Sequence, residues 1–243
     1  MLAAAQVRAV HGSATEAGTK STPTDVVTRT DVESEELIRS ELKQRAPGSS
    51  IVGEELEDSR GSNRIGWIVD PIDGTVNFLY GLPVVSVSIA ATVDGAVIAG
   101  AVADVIRGDV FSAAHGAGAK RVSDGVTTQM HVTGQDALGL ALIGTGFAYE
   151  ASIRQEQATA IARLLPQCRD IRCMGSAALN LCWVGAGMLD GYFERDIKVY
   201  DYAAGALIAA ESGAQVEQPS ANSLDMMLAS TPSISGPLRD LVT

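Results

Sequence analysis

Apolar positions along the chain fall into short runs broken by turn residues. Between residues 31 and 45, Val32, Leu37, Ile38 and Leu42 recur at helical spacing, and Pro47-Gly48 stops the run, so a surface helix is expected there. Residues 1–24 are small and polar, with Gly12, Gly18 and Pro23, and suggest a helix remnant followed by a loop. Residues 50–53 and 65–69 have the length and composition of strands, and 60–64 read as a loop. Residues 86–92 and 97–105 flank Asp94-Gly95, a hairpin signal, and 109–114 suit a third strand. A strand is expected at 140–144, a helix at 152–165 closed by Pro166, and a buried helix at 176–186 ending near Gly187. A strand at 189–194 and a helix at 201–212 follow, with Asp201 suited to cap its start and Gly213 its end. Strands and helices alternate without a strict βαβ rhythm, and hairpins intervene. That pattern argues for a layered α/β protein with mixed sheets.

The chain has 243 residues, 46% hydrophobic and 19% charged, which fits a folded chain with a sizeable core. A formal net charge of −11 argues against a nucleic-acid-binding surface. It also means that an anionic substrate needs bound cations to overcome the acidic field. Cys168, Cys173 and Cys182 form no Cys-x-x-Cys pair and lie far from His115 and His131, which lends little support to zinc ligation. Reduced, mostly buried thiols in a cytoplasmic protein are expected. The start of the chain lacks a signal-peptide pattern. No apolar stretch is long enough to span a bilayer; residues 84–102 read as two strands around a turn.

The chemistry concentrates in Trp67-Ile68-Val69-Asp70-Pro71-Ile72-Asp73-Gly74-Thr75-Val76-Asn77-Phe78. An apolar strand delivers Asp70 at its end, and Pro71 turns the chain out of the sheet. Two carboxylates and the Ile72 carbonyl in so short a span make a hard-oxygen ligand set suited to Mg²⁺. Gly74 permits close backbone approach, and the amides of Gly74 and Thr75 would face an anion if they open a helix. An Asp-Pro turn capping a helix is the plainer alternative for either aspartate alone, but not for the whole string.

Asp70-Pro71-Ile72-Asp73-Gly74-Thr75 is similar to the signature of the inositol monophosphatase family, the lithium-sensitive Mg²⁺-dependent phosphatases. Three further segments resemble family motifs in the expected order: Lys20-Ser21-Thr22-Pro23-Thr24-Asp25 continuing to Asp31, Gly53-Glu54-Glu55, and Asp201-Tyr202-Ala203-Ala204-Gly205 opening an apolar helix. The resemblance implies an α/β/α/β/α sugar-phosphatase fold: one domain, 1–243, of two closely packed halves meeting near 130–140. It implies two or three Mg²⁺ ions held by Glu54, Asp70, the Ile72 carbonyl, Asp73 and Asp201. Asp31 and Thr75, with Glu54 holding a metal nearby, match the group that activates the attacking water. No nucleophile motif such as Gly-x-Ser-x-Gly is present, in agreement with attack by water.

For the substrate, Arg172-Cys173-Met174-Gly175-Ser176-Ala177 resembles the family's loop that meets the leaving alcohol, and Glu194 stands where the family has an inositol-contacting glutamate. Phosphate and substrate contacts are therefore expected from Ile72, Asp73, Gly74, Thr75, Arg172, Gly175, Ser176, Ala177, Glu194 and Asp201. Arg172 also suits a structural ion pair, and Glu194 a surface charge at a strand end. Glu33, Glu35, Glu36 and Glu41 suit the solvated face of a helix. Gly144-Thr145-Gly146 lacks a following Gly-x-x-Gly and does not read as a nucleotide-binding turn. One departure is Tyr200, where the family usually has Trp before its second-signature Asp. The implied activity is hydrolysis of a small phosphomonoester, inositol 1-phosphate first, by a homodimer. The alternatives are a relative acting on histidinol phosphate, fructose 1,6-bisphosphate or an adenosine bisphosphate, and a protein-interaction module.

Overall fold

The computed structural model describes residues 1–13, 16–219 and 226–243. The chain opens with α1 (Leu2–Val10), a hairpin of β1 (Glu16–Thr19) and β2 (Val26–Thr28), and α2 (Arg29–Arg45). β3 (Ser50–Gly53), β4 (Ile65–Asp73) and the short α3 (Thr75–Tyr80) follow. Four hairpin connections then link β5 (Ser86–Val93), β6 (Ala96–Asp104), β7 (Val110–Ala114), β8 (Ala119–Ser123) and β9 (Val126–Gln129). The remainder holds β10 (Leu142–Thr145), α4 (Ala151–Leu164), β11 (Asp170–Cys173), α5 (Ala177–Gly185), β12 (Gly191–Arg195), α6 (Val199–Glu211), β13 (Gln215–Glu217), β14 (Met226–Ser230) and α7 (Pro232–Val242).

Two mixed sheets carry the architecture. One has seven strands in the order β3-β4-β5-β6-β7-β8-β9, parallel only at β3–β4. The other has five, in the order β11-β10-β12-β14-β13. The central strands of each sheet are packed on both faces, while β9 at the end of the large sheet is exposed. Val7, Ile38, Val69 and Val87 join α1 and α2 to one face of the large sheet. Leu181, Val184, Ala204 and Ile208 of α5 and α6 fill the space between the sheets, against Val102 and Phe111 on one side and Tyr192 and Met227 on the other. Leu164 of α4 and Leu238 of α7 cover the outer face of the small sheet with Ile143 and Leu228. The layers therefore run α/β/α/β/α, as the resemblance implied.

The central layer sits unusually close to the large sheet. A Cβ added at Gly100 of β6 would lie 2.9 Å from the Cα of Ala204 in α6. Helix α5 meets α6 just as tightly, since a Cβ at Gly205 would lie 2.8 Å from the Cβ of Leu181. Small residues in Ala203-Ala204-Gly205-Ala206 are what let backbone approach backbone here.

Three elements depart from the sequence reading. Residues 16–28 form a hairpin, although its Gly18 and Pro23 point to a loop. Strand β4 does not end at Val69; it continues through Pro71 to Asp73 by means of a bulge, with Asp70 opposite Ser88 and Asp73 opposite Ser86. Glu35 does not belong to a solvated face. It is fully buried, accepts a bond from Arg39 Nε at 2.7 Å, and accepts another from the Glu55 amide at 2.7 Å. Gly53 lacks the Cβ that would collide with this carboxylate. A buried acid on α2 thus anchors the loop carrying Glu54.

The close approach at Gly100 gives a direct test. Gly100→Val should lower the free energy of unfolding in urea by about 1–3 kcal/mol, the usual cost of overpacking. An unchanged unfolding midpoint would mean that the sheet and α6 are not pressed together at this point.

Candidate active site

The bulge in β4 decides where the signature carboxylates point. In an unbroken strand, positions 70 and 73 would face opposite sides of the sheet. Inserting one residue brings both onto one cleft of about 770 Å³, together with Glu54, Asp201 and Glu194. Pro71 fits this place because a bulge releases the ladder hydrogen bond that proline cannot donate.

Each acid is positioned separately. Asp70 Oδ1 accepts from the Ile72 amide at 3.1 Å. Asp73 accepts from Ser86 Oγ at 3.0 Å, from the amides of Ala177 at 3.1 Å and Ala178 at 2.9 Å, and from Ser176 Oγ. It therefore sits on the N-terminus of α5, where free amides and the helix dipole favour an anion. Asp201 lies in the first turn of α6 and accepts from the Lys198 amide, completing that helix start from inside rather than as the cap residue itself. Glu54 pairs with Lys20 Nζ at 2.7 Å, and the same ammonium reaches Glu55 Oε1 at 2.6 Å.

Asp31 is buried behind Thr75 rather than in the cleft wall. It accepts from the Thr28 amide at 2.9 Å and from the Thr28 hydroxyl. Thr75 Oγ1 lies 3.1 Å from both Asp31 Oδ1 and the Ile72 carbonyl. With one proton and two acceptors, Thr75 donates to one of them at a time.

The floor is stitched across the two sheets. Asn77 Nδ2 donates to Val84 O at 2.9 Å and to Met174 O at 2.7 Å. Gly74, at φ +97°, would bring a Cβ within 2.9 Å of Val84 O and 3.0 Å of Gly175 O. Glycine is required there on both counts. Gly175 and Ala177 reach the cleft, whereas Ser176 is turned inward as the α5 cap and a donor to Asp73. Arg172 is not brought to the site. Its guanidinium pairs with Asp170 at 2.6 Å on the exposed end of β11, the ion-pair alternative that the sequence left open.

The cleft is strongly acidic. Among the described residues its lining carries eight acidic and four basic side chains, so a phosphate cannot settle there on protein charge alone. Burial raises the pKa of Asp70 well above the ordinary carboxylate range, and the charges of Glu54, Asp73 and Asp201 add to it. Asp201 rises for the same reasons, burial first and Glu54 next. Burial also lifts Glu54, against the pull of Lys20, and it lifts Asp73, against the donors of α5. Glu54 and Asp70 act on each other most directly, Glu54 standing next after burial among the causes that raise Asp70. Burial pulls the Lys20 ammonium down, but Glu54 and Glu55 outweigh it and hold it above its usual value.

This donor set fits a hard divalent cation. Buried oxygens that repel one another are what such an ion would relieve. Among the described residues, no three His, Cys, Asp or Glu groups converge tightly enough to form a finished ligand shell. The acids influence one another across the cleft at a wider spread, with the Lys20 ammonium among them.

Sequence reasoning passed over three contributors. Lys20 stands in a quoted motif without a role, and no spacing rule marks a lysine as the partner of two distant glutamates. Asn77 reads as an ordinary residue of the twelve-residue string. Tyr192 Oη donates to Glu194 Oε2 at 2.6 Å, a pair visible only as an i, i+2 alternation on a strand. Tyr200, the departure from the family's Trp, lines the cleft beside Asp201.

The raised acids predict a pH dependence. Burial first of all pushes Glu55 and Glu194 from 4.5 up to about 7. Between those values the folded chain binds more protons than the unfolded chain, so metal-free stability falls as pH rises. In chelator, the thermal midpoint should be higher near pH 5 than near pH 7, and Mg²⁺ should raise it at pH 7. The opposite order in chelator would show that these carboxyls are not strained.

Residues 2–236 match the inositol monophosphatase family. The chain is 50% identical over 208 residues to the inositol-1-monophosphatase of Mycobacterium leprae, covering 84% of this chain and 72% of that protein. It is 41% identical over 194 residues to a protein of Pasteurella multocida named Nus factor SuhB, covering 79% of this chain and 71% of that one. Among solved structures, the extragenic suppressor protein suhB of Bartonella henselae superposes with a TM-score of 0.92 at 29% identity, covering 100% of this chain and 95% of the other. No helix among the described residues is long and apolar enough to cross a membrane. Ordered motifs, layered fold, acidic cleft and similarity agree: the chain belongs to the inositol monophosphatase family and is a phosphatase that acts on a small phosphomonoester.

Proposed function

We propose that this protein hydrolyses inositol 1-phosphate to inositol and phosphate with two or three Mg²⁺ ions. The observation that carries this reading is the bulge-directed acid set facing one cleft with Glu194 on its other wall. Glu54, Asp70, the Ile72 carbonyl, Asp73 and Asp201 would hold the ions. When bound, the ions supply positive charge to the phosphate oxygens and lower the pKa of the attacking water.

The chain's own residues do the rest. Thr75, when it donates to Asp31, turns its lone pairs toward the cleft and can accept a bond from the incoming water. Asp31 is placed to take up the proton that Thr75 passes on. The backbone at Gly74 and Thr75 receives phosphate oxygens. Gly175, Ala177 and Glu194 meet the leaving alcohol, where a carboxylate accepts bonds from neighbouring hydroxyls.

The similarity to the Pasteurella multocida protein named Nus factor SuhB favours a second reading, a protein-interaction role alongside hydrolysis. Retention of the intact acid set favours hydrolysis as the primary one.

Asp70→Asn and Asp201→Asn should each remain folded and lose nearly all phosphate release, because each removes one anionic ligand. Wild-type turnover by either variant at saturating Mg²⁺ would remove that residue from the metal set. Activity should disappear in excess chelator and return with Mg²⁺; full activity in chelator would refute the metal mechanism.

Across a substrate panel, inositol 1-phosphate should be turned over faster than glycerol 2-phosphate. Glu194→Ala should reduce kcat/KM more for inositol 1-phosphate, since a site built for hydroxyls is left unpaired without them. A wild-type preference for histidinol phosphate or a bisphosphate would displace inositol while leaving the phosphatase in place.

A further inference from the structure

Glu194 is gripped by residues that lie in none of the signature motifs. Tyr192 precedes it by two positions on β12, so both side chains leave the same face of the sheet. The fully buried Tyr192 donates its hydroxyl proton to Glu194 Oε2 at 2.6 Å. From the neighbouring strand, Gly146 follows β10, which pairs parallel to β12 with Thr145 opposite Phe193. A Cβ at Gly146 would overlap the carboxyl carbon and both oxygens of Glu194. The Gly146 backbone is also braced from behind. Gln157 of α4, itself 4% exposed, donates Nε2 to Gly146 O at 3.3 Å and accepts the Ala148 amide on Oε1 at 3.0 Å.

We propose that Gly146, Tyr192 and Gln157 form a clamp that fixes the Glu194 carboxylate toward the leaving alcohol, and that Gly146 is thereby a specificity-determining position for hydroxyl-rich alcohols. The proposal rests on the reading above that Glu194 meets the alcohol. Tyr192 occupies Oε2 and leaves the lone pairs of Oε1 for substrate hydroxyls. Discrimination between alcohols by hydrogen bonding requires those lone pairs to be held in place rather than free to swing. Gln157 resists retreat of the backbone at 146 by holding the Gly146 carbonyl and the Ala148 amide that follows it. A methyl at 146 must therefore turn the Glu194 carboxylate, the flexible end of the contact, and the fold can absorb that movement. Gly146, Tyr192 and Gln157 are positioning residues, since they act on the substrate through Glu194.

The test compares Gly146→Ala, Tyr192→Phe, Glu194→Ala and the double variant Gly146→Ala/Glu194→Ala on inositol 1-phosphate and glycerol 2-phosphate. The ratio of kcat/KM between the two substrates should fall by about tenfold in Gly146→Ala, chiefly through KM for inositol 1-phosphate. It should fall in the same direction in Tyr192→Phe, which keeps the ring and serves if Gly146→Ala does not fold. The double variant should have the same ratio as Glu194→Ala, because the clamp acts only through that carboxylate. Equal losses on both substrates, or losses that add in the double variant, would overturn the clamp. A crystal structure of Gly146→Ala should show the Glu194 carboxylate turned, and a carboxylate left in place would overturn the clamp whatever the substrate. If the wild-type protein does not prefer inositol 1-phosphate at all, the inositol reading fails by itself, and the Glu194 position in that crystal structure still decides the clamp.

Discussion

The burial of several carboxylates around one cleft is what the rest of the site has to accommodate. Glu54, Asp70, Asp73 and Asp201 face one cleft, and each is lifted above its ordinary pKa mainly by burial. Nothing in their own interaction would gather them. They are gathered because three separate elements hold them: the loop anchored by Glu35 carries Glu54, a strand bulge carries Asp70 and Asp73, and the first turn of α6 carries Asp201. The large apolar centre around α5 and α6 supplies the stability against which this strained arrangement is maintained. Helix starts serve the same purpose. Asp73 rests on the amides of α5 and Asp201 on the entry to α6, so the two central helices provide both the core and much of the electrostatic support.

Much of this was legible in the sequence because it is local. The string around Asp70-Pro71-Ile72-Asp73 carries its two carboxylates and the turn between them in adjacent residues, and the hairpin at Asp94-Gly95 is written in two turn-forming positions. The apolar helix after Asp201 is equally plain. What escaped the sequence depends on distant partners. Glu35 looks like its neighbours Glu33 and Glu36, and its i,i+4 partner Arg39 does not set it apart; only the fold buries the pair and brings the Glu55 amide to it. The extension of β4 past Pro71 was missed because proline normally ends a strand, and the bulge that tolerates it exists only when β5 is present. Arg172 falls within a segment that resembles a substrate loop, yet strand geometry turns it to Asp170. Gly146 shows locally only as part of a weak glycine pattern, since its meaning lies in a carboxylate 48 positions further along the sequence.

The family resemblance and the physical reading also divide the site differently. Motifs mark the groups that would touch metal and phosphate. They are silent about Lys20, Gln157 and Tyr192, whose contribution is to hold other side chains in place. Such supporting residues have no fixed chemical type. An amide, a phenol or a bare Cα can each restrain a carboxylate, so no short pattern identifies them.

The Asn77 stitch has a consequence for how such a protein can change over time. Its side-chain amide joins α3 to the loops at Val84 and Met174, one from each half of the chain, and locks the floor of the cleft into a single block. The wall around Gly146 and Glu194 is built from β10, β12 and α4, none of which contributes a member of the acid set. The floor and the wall around Glu194 are thus carried by separate elements of one cavity. Substitutions confined to β10, β12 and α4 can therefore reshape one side of the cavity and leave the Asn77 bonds that tie its floor together in place.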